Sequence, residues 1–215
     1  MLHQIKIIGL TIVRNAISNG YLIAEVINTL SAVADEVVVC DGFSTDGTYE
    51  YLKTRSDIKL FQDDWNLQSN NGLEFARVTD LGIKRCDGDF IFYLQADELI
   101  HPNQIPHLKE LIRSNKYNSI DFRFNHIRYD LDCCLREGYE HAARVVRNKN
   151  VQSRDDGYDF QGEVNPKHVS QIDIYHYGYV FLENILAKMI NHSSNFYVDA
   201  PNYARRKELA GKYLE

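Results

Sequence analysis

The stretch from Asp89 to His101, Asp-Phe-Ile-Phe-Tyr-Leu-Gln-Ala-Asp-Glu-Leu-Ile-His, constrains this chain more than any other. Its apolar, aromatic run is long enough for one strand buried on both faces, and Asp97 and Glu98 arrive as the run stops. Pro102 and a helical pattern of Ile105, Leu108, Leu111 and Ile112 follow. A strand of that kind, ending in acids and succeeded by a helix, describes the carboxyl edge of an open α/β sheet, where ligands bind. The same two acids read equally as a solvated turn before a helix, so the rest of the chain has to decide.

Upstream, residues 4 to 13 are rich in β-branched residues and predict a first strand, with Arg14-Asn15-Ala16 as the loop after it. Ser18 or Asn19 then caps a helix carrying Leu22, Val26, Leu30 and Val33 at helical spacing. The second strand, Asp35 to Cys40, runs into Asp41-Gly42-Phe43-Ser44-Thr45-Asp46-Gly47-Thr48. Gly42 and Gly47 permit positive φ and close backbone approach. Ser44, Thr45 and Asp46 are each able to cap a helix from Thr48 to Arg55, whose amino end favours an anion. Asp41 is placed to accept hydrogen bonds from a ribose or a base, although the segment also reads as an ordinary β-to-α turn. Ile58 to Phe61 is a short third strand, and Gln62 to Asn71 a polar loop holding Trp65. A helix follows from about Leu73 to Cys86. The order β-α-β-α-β-α-β implies right-handed crossovers and a mostly parallel sheet.

Beyond a helix at 103 to 116 the pattern changes. Ser119 to Tyr129 alternates as a strand, and Ala142 to Asn148 is another. Residues 149 to 170, with Asp155, Asp156, Asp159 and Glu163, predict a flexible acidic loop. Ile172 to Val180 surrounds His176 with tyrosines, and two helices carry the chain to Glu215. No linker divides the 215 residues, so the expectation is one domain, 1–215, with a binding half at 1–100 and a second half at 101–215.

Composition narrows the partners. A net charge of −6 without a basic stripe gives no reason to expect nucleic acid. The four cysteines form no C-x-x-C pair, and Cys40 at the end of an apolar run reads as a small core residue. A reducing, cytoplasmic setting fits. No stretch reaches the length of a transmembrane span, and the amino terminus lacks a signal-peptide layout.

Five pieces, each weak alone, occur in order: Thr11-Ile12-Val13-Arg14-Asn15; Asp35 through Thr48; Gly72-x-x-x-Ala76-Arg77; Asp87-Gly88-Asp89-Phe90-Ile91; and Gln95-Ala96-Asp97-Glu98. Together the chain resembles a family 2 glycosyltransferase of the GT-A fold. The resemblance runs from about Ile7 to Pro102 and more thinly to Val180. It implies an α/β fold: a mostly parallel, Rossmann-like sheet flanked by helices, with a small antiparallel extension on the acceptor side.

The resemblance also implies a donor in which a nucleoside diphosphate (UDP, GDP or dTDP) leaves from a sugar, and a glycan or lipid-linked acceptor. By that carry-over Val13, Arg14, Asn15 and Asp41 hold the nucleoside, with Ser44 and Asp46 beside them, and Arg77 sits near the diphosphate. Gln95 and Ala96 line the donor. Asp97 binds a divalent metal, Mn2+ or Mg2+, that offsets charge on the departing diphosphate. The family's metal motif is Asp-x-Asp, and Gln95 replaces its first acid without a formal charge, so His176 is the candidate for a second ligand; a hydrogen-bonded structural histidine is the alternative. An inverting transfer needs a carboxylate base. Asp156, before Gly157, is first among candidates that include Asp155, Asp159 and Glu163. Arg144 and Arg147 neutralise phosphate or flank a strand at the surface. Envelope polysaccharide or glycan synthesis at the inner face of the membrane is the usual setting, which leaves room for peripheral membrane association and a homo-oligomer. The rival readings are a nucleotide-sugar-binding protein that has lost turnover, and a sugar nucleotidylyltransferase. The second is disfavoured because Val13-Arg14-Asn15 stands where a Gly-rich loop belongs.

Overall fold

The computed structural model describes residues 4–66, 72–128, 134–135 and 140–180. The first strand, β1 (Ile7–Val13), is buried along its whole length. Such a strand needs neighbours on both sides and cover on both faces. It finds β2 (Glu36–Asp41) on one side and β4 (Phe90–Tyr93) on the other, both parallel to it, and β3 (Ile58–Gln62) adds outside β2.

Helices cover the two faces. The helix α2 (Ile23–Val33) turns Ile23, Val26, Ile27, Leu30 and Val33 inward, an i, i+3, i+4 stripe packed with Ile7, Val13, Val37 and Val39. Ser18 and Asn19 do not cap it. They belong to a separate turn, α1 (Ala16–Asn19), which ends at Gly20, and α2 starts from Leu22 without a side-chain cap. The helix α3 (Thr48–Lys53) is short, and α4 (Leu73–Ile83) covers the opposite face, placing Val78 and Ile83 among Ile8, Leu10 and Val38.

After β4 the chain does not enter a helix directly. It turns through Leu94–Asp97 into β5 (Glu98–Ile100), and only then, past a single turn at Pro102–Gln104, into α5 (Ile105–Arg113). The sheet continues from β4 through β8 (His141–Arg147), β6 (Ser119–Arg128) and β11 (Lys167–Tyr179) to β5, giving the order β3-β2-β1-β4-β8-β6-β11-β5, with β7 (Cys134–Leu135) against β6. Because β8 runs antiparallel to both β4 and β6, and β11 runs parallel to β6, the carboxyl halves of β6 and β11 reach the edge where β4 ends.

The acidic stretch expected as a flexible loop is instead a second, two-stranded antiparallel sheet, β9 (Val151–Arg154) and β10 (Asp159–Gly162). Val151 and Phe160 anchor it in the core, and the Ser153 N–H donates to Asp80 Oδ1 of α4 at 2.7 Å. The expected architecture, a mostly parallel sheet between helices with a small antiparallel extension, is the one found. The helices predicted beyond Val180 lie outside the described residues. Among the described residues no helix is long and apolar enough to cross a membrane.

Candidate active site

The tips of β1 and β2 are knitted into one surface. Val13 and Asp41 are register partners, and the Gly42 N–H donates to Val13 O at 2.8 Å. Arg14 donates back to Gly42 O at 2.9 Å, and the Asn15 N–H donates to Ser44 Oγ at 2.8 Å. Thr45 N–H donates to Asn15 Oδ1. Asp46 is spent on the protein's own backbone, accepting from Ser18 N–H and Thr48 N–H. Burial alone pushes its carboxyl up, but these bonds outweigh it and hold it below its ordinary value. Positive φ falls on Phe43 and Gly47 rather than on Gly42. What Gly42 supplies is room: a Cβ there would stand 2.7 Å from the Trp65 ring.

Asp41 itself is fully buried. Its Oδ2 accepts from the Ser44 N–H at 3.0 Å and from Gln62 Nε2 at 3.1 Å, while Oδ1 has no hydrogen-bond partner among the described residues. A buried carboxylate oxygen without a donor is costly. A ligand N–H or O–H would satisfy it.

Gln95, Ala96 and Asp97 sit beyond the end of β4, on the same edge as Asp41. The two acids are not neighbours, because β1 runs between their strands. Two strand spacings separate β2 from β4, about 10 Å. Asp97 is buried, and Ala96 belongs to the core cluster that also holds Leu94, Val13 and Ile100. The β5–β11 register brings His176 opposite Glu98, and the Tyr177 N–H donates to Asp97 O at 2.8 Å. His176 Nε2 consequently stands 3.4 Å from Asp97 Oδ2. Two ligands at right angles on one hard divalent cation lie about 3 Å apart, so this carboxylate and imidazole suit a shared ion. Among the described residues no group of three or more His, Cys, Asp and Glu side chains forms a closed metal cage. A pair of protein ligands completed by phosphate oxygens is how Mg2+ is commonly held.

Sequence reasoning missed His126. It lies beside His176 across the parallel β6–β11 pair, with the two Nδ1 atoms 2.8 Å apart. A hydrogen bond between them requires one of the two Nδ1 atoms to carry the proton, so the tautomers of the two rings are coupled. The signal was present in the alternation Ile120, Phe122, Phe124, His126, in which a histidine extends an apolar face.

Asp155 and Asp156 occupy the turn of the β9–β10 hairpin. Gly157 in that turn packs against Phe75 and Ala76 of α4, and its carbonyl receives Gln95 Nε2 at 3.4 Å. The structure thus brings Asp156 to the Asp97 edge. It does not bring Glu163, which sits at the other end of the hairpin with Lys149 at 3.1 Å and Asn150, beyond the amino end of β4. Asp159 is buried; burial pushes its carboxyl up, but Arg154 and the N–H groups of Phe160 and Ala143 hold it below the ordinary range. Arg77 donates to Glu74 at 2.8 Å and to Asp64 O at 2.6 Å, which clamps the loop before α4. Arg144 is neither a surface residue nor a phosphate ligand: it is wholly buried and forks onto Glu98.

A model of the family described as Glycosyl transferase family 2 matches residues 12–156. The crystal structure of S. aureus TarS 1–349 superposes with a TM-score of 0.52 at 14% identity, covering 97% of this chain and 70% of that one. The same TarS fragment in complex with UDP-GlcNAc gives 0.53 at 15% identity over 97% and 71%, and in complex with UDP gives 0.52 at 17% over 97% and 70%. At these identities the likeness is one of fold. No curated protein matches the chain.

Proposed function

The chain belongs to glycosyl transferase family 2, and from that premise we propose that it moves a sugar from a nucleoside-diphosphate donor to a hydroxyl acceptor with inversion. The observation that carries the reading is one sheet edge presenting a donor-seeking Asp41 oxygen at one strand tip and the Asp97–His176 pair at another. Asp41 Oδ1 accepts an N–H or O–H of the nucleoside, and the β1 and β2 loops, with Arg14, Asn15 and Ser44, wall its pocket. Asp97 and His176 are the residues that would hold Mn2+ or Mg2+, which would supply charge stabilisation to the departing diphosphate. The acceptor hydroxyl attacks the anomeric carbon from the face opposite the diphosphate. Asp156 takes its proton as the new C–O bond forms, and the electron pair of the broken bond leaves on the diphosphate oxygen. UDP is the first nucleotide to test, because TarS has been crystallised with UDP and UDP-GlcNAc. The whole chain acts as one domain, its first half holding the donor and its second the acceptor, in cytoplasmic glycan or envelope polysaccharide synthesis.

Gln95 favours a second reading, a binding protein without turnover, since an amide replaces the family's first acid and is engaged with Gly157 O. Thermal shift against UDP, GDP, CDP and dTDP, each with Mn2+ or Mg2+, followed by hydrolysis of the matching nucleotide sugars, separates the two. The transferase reading predicts a metal-dependent rise in Tm for one nucleotide and slow donor hydrolysis that Asp97→Ala abolishes. Binding without hydrolysis or transfer, unaffected by Asp97→Ala, would favour the second.

A further inference from the structure

Glu98 and Arg144 form an ion pair with both side chains wholly buried. Such a pair is an expensive way to stabilise a core, because desolvating two charges offsets most of their attraction and apolar residues serve as well. Its position accounts for it better. Arg144 Nε and Nη2 each donate to a Glu98 carboxylate oxygen at 2.7 Å. Glu98 Oε2 also accepts from the Gln95 N–H at 3.1 Å, which closes the turn that carries Asp97. On its far side Arg144 Nη1 donates to Ala143 O at 2.9 Å and to Tyr158 O at 2.6 Å, the last residue of the hairpin turn that carries Asp156. Gln95 Nε2 makes a parallel tie to Gly157 O. One rigid guanidinium therefore hydrogen-bonds both the 95–98 turn and the 155–158 turn, which come from distant parts of the sequence. A lysine ammonium keeps the charge but lacks the planar fork that reaches both.

We propose that Glu98 and Arg144 are positioning residues that lock the 95–98 turn to the 155–158 turn, fixing the distance between the donor-side Asp97 and the acceptor-side Asp156. The proposal rests on the transferase reading for its consequence, though the coupling itself does not. It also gives Gln95 a role: an amide N–H donates to the Gly157 carbonyl, which a carboxylate would repel.

The test compares the wild type with Arg144→Lys, with the double variant Glu98→Met/Arg144→Met, which leaves no unpaired buried charge, and with Gln95→Ala, which cuts the second tie from a half-buried position. Hydrogen–deuterium exchange at residues 155–158 is expected to rise about tenfold in Arg144→Lys and the double variant, and less in Gln95→Ala. The far end of the hairpin, where the Glu163 N–H donates to Asn150 O, should exchange as in the wild type. Hydrolysis of UDP-GlcNAc should fall about 100-fold in kcat while UDP affinity, read by calorimetry with Mn2+, changes less than about threefold. Folded variants with wild-type exchange in the 155–158 turn would overturn the proposal, as would a loss confined to UDP affinity. A wild type that hydrolyses no UDP-GlcNAc counts against the donor assignment alone, since the exchange comparison still decides the coupling.

Discussion

Cys40 ends the apolar run of β2 with its thiol in the core, against Gly82 and the Arg85 guanidinium. Burial pushes that thiol up to about 11, the neighbouring Arg85 only partly opposing it, and burial pushes Cys86 up to about 12. The nucleophile in thiol chemistry is the thiolate, so both should resist labelling by an aromatic disulfide at pH 8 in a Cys133→Ser/Cys134→Ser background, and react promptly once urea unfolds the chain. The sign for stability follows from the same shift. With folded values above the ordinary 9.0, the contribution is intact below pH 9 and is lost as pH rises through about 11. Equal labelling rates in native and unfolded protein would refute the burial. That Cys40 is a core residue was legible in the sequence, because an apolar run leads straight into it. Arg144 was not: an arginine inside a strand pattern says nothing of the Glu98 waiting across the sheet.

At the scale of elements, Asp46 stands where two local segments meet, tying the α1 backbone at Ser18 to the α3 start at Thr48. Asp46→Ala should cost about 1 kcal/mol in urea unfolding at pH 7, the usual net worth of a hydrogen bond. Since the folded carboxyl lies below its ordinary 3.8, that difference is fully present above pH 4 and shrinks as pH falls through the depressed value. A gap between wild type and variant that persists unchanged at pH 2.5 would count against the bond. The elements themselves were unequally readable. The central parallel strands β1, β2 and β4 are buried on both faces and therefore write continuous apolar runs. The β9–β10 hairpin writes almost nothing, since Val151 and Phe160 are its buried apolar anchors while Asp155, Asp156 and Asp159 dominate its composition. The short β5 was hidden for another reason. Leu99 and Ile100 continue an apolar stretch whose reversal at Leu94–Asp97 depends on Glu98 and its buried partner.

Across the whole molecule, the topology brings scattered acids to one edge of the sheet. Asp41 and Asp97 lie far apart in sequence and are delivered to a single edge because β1, β2 and β4 run parallel. His126 and His176 join them because β6 and β11 point the same way after β8 reverses the sheet. The sequence motifs marked the strand tips, while the histidine pair needed long-range register that periodicity does not encode. The central claim is that the two tips grip opposite ends of one nucleotide, and calorimetry of UDP with and without Mn2+ tests it most directly. Asp41→Asn should weaken UDP about tenfold whether or not Mn2+ is present, as expected for one hydrogen bond to a charged group. Asp97→Asn should leave metal-free UDP binding unchanged and erase the enhancement by Mn2+. An Asp97→Asn protein that retains the full Mn2+ enhancement, or an Asp41→Asn protein that binds UDP as the wild type does, would contradict the account.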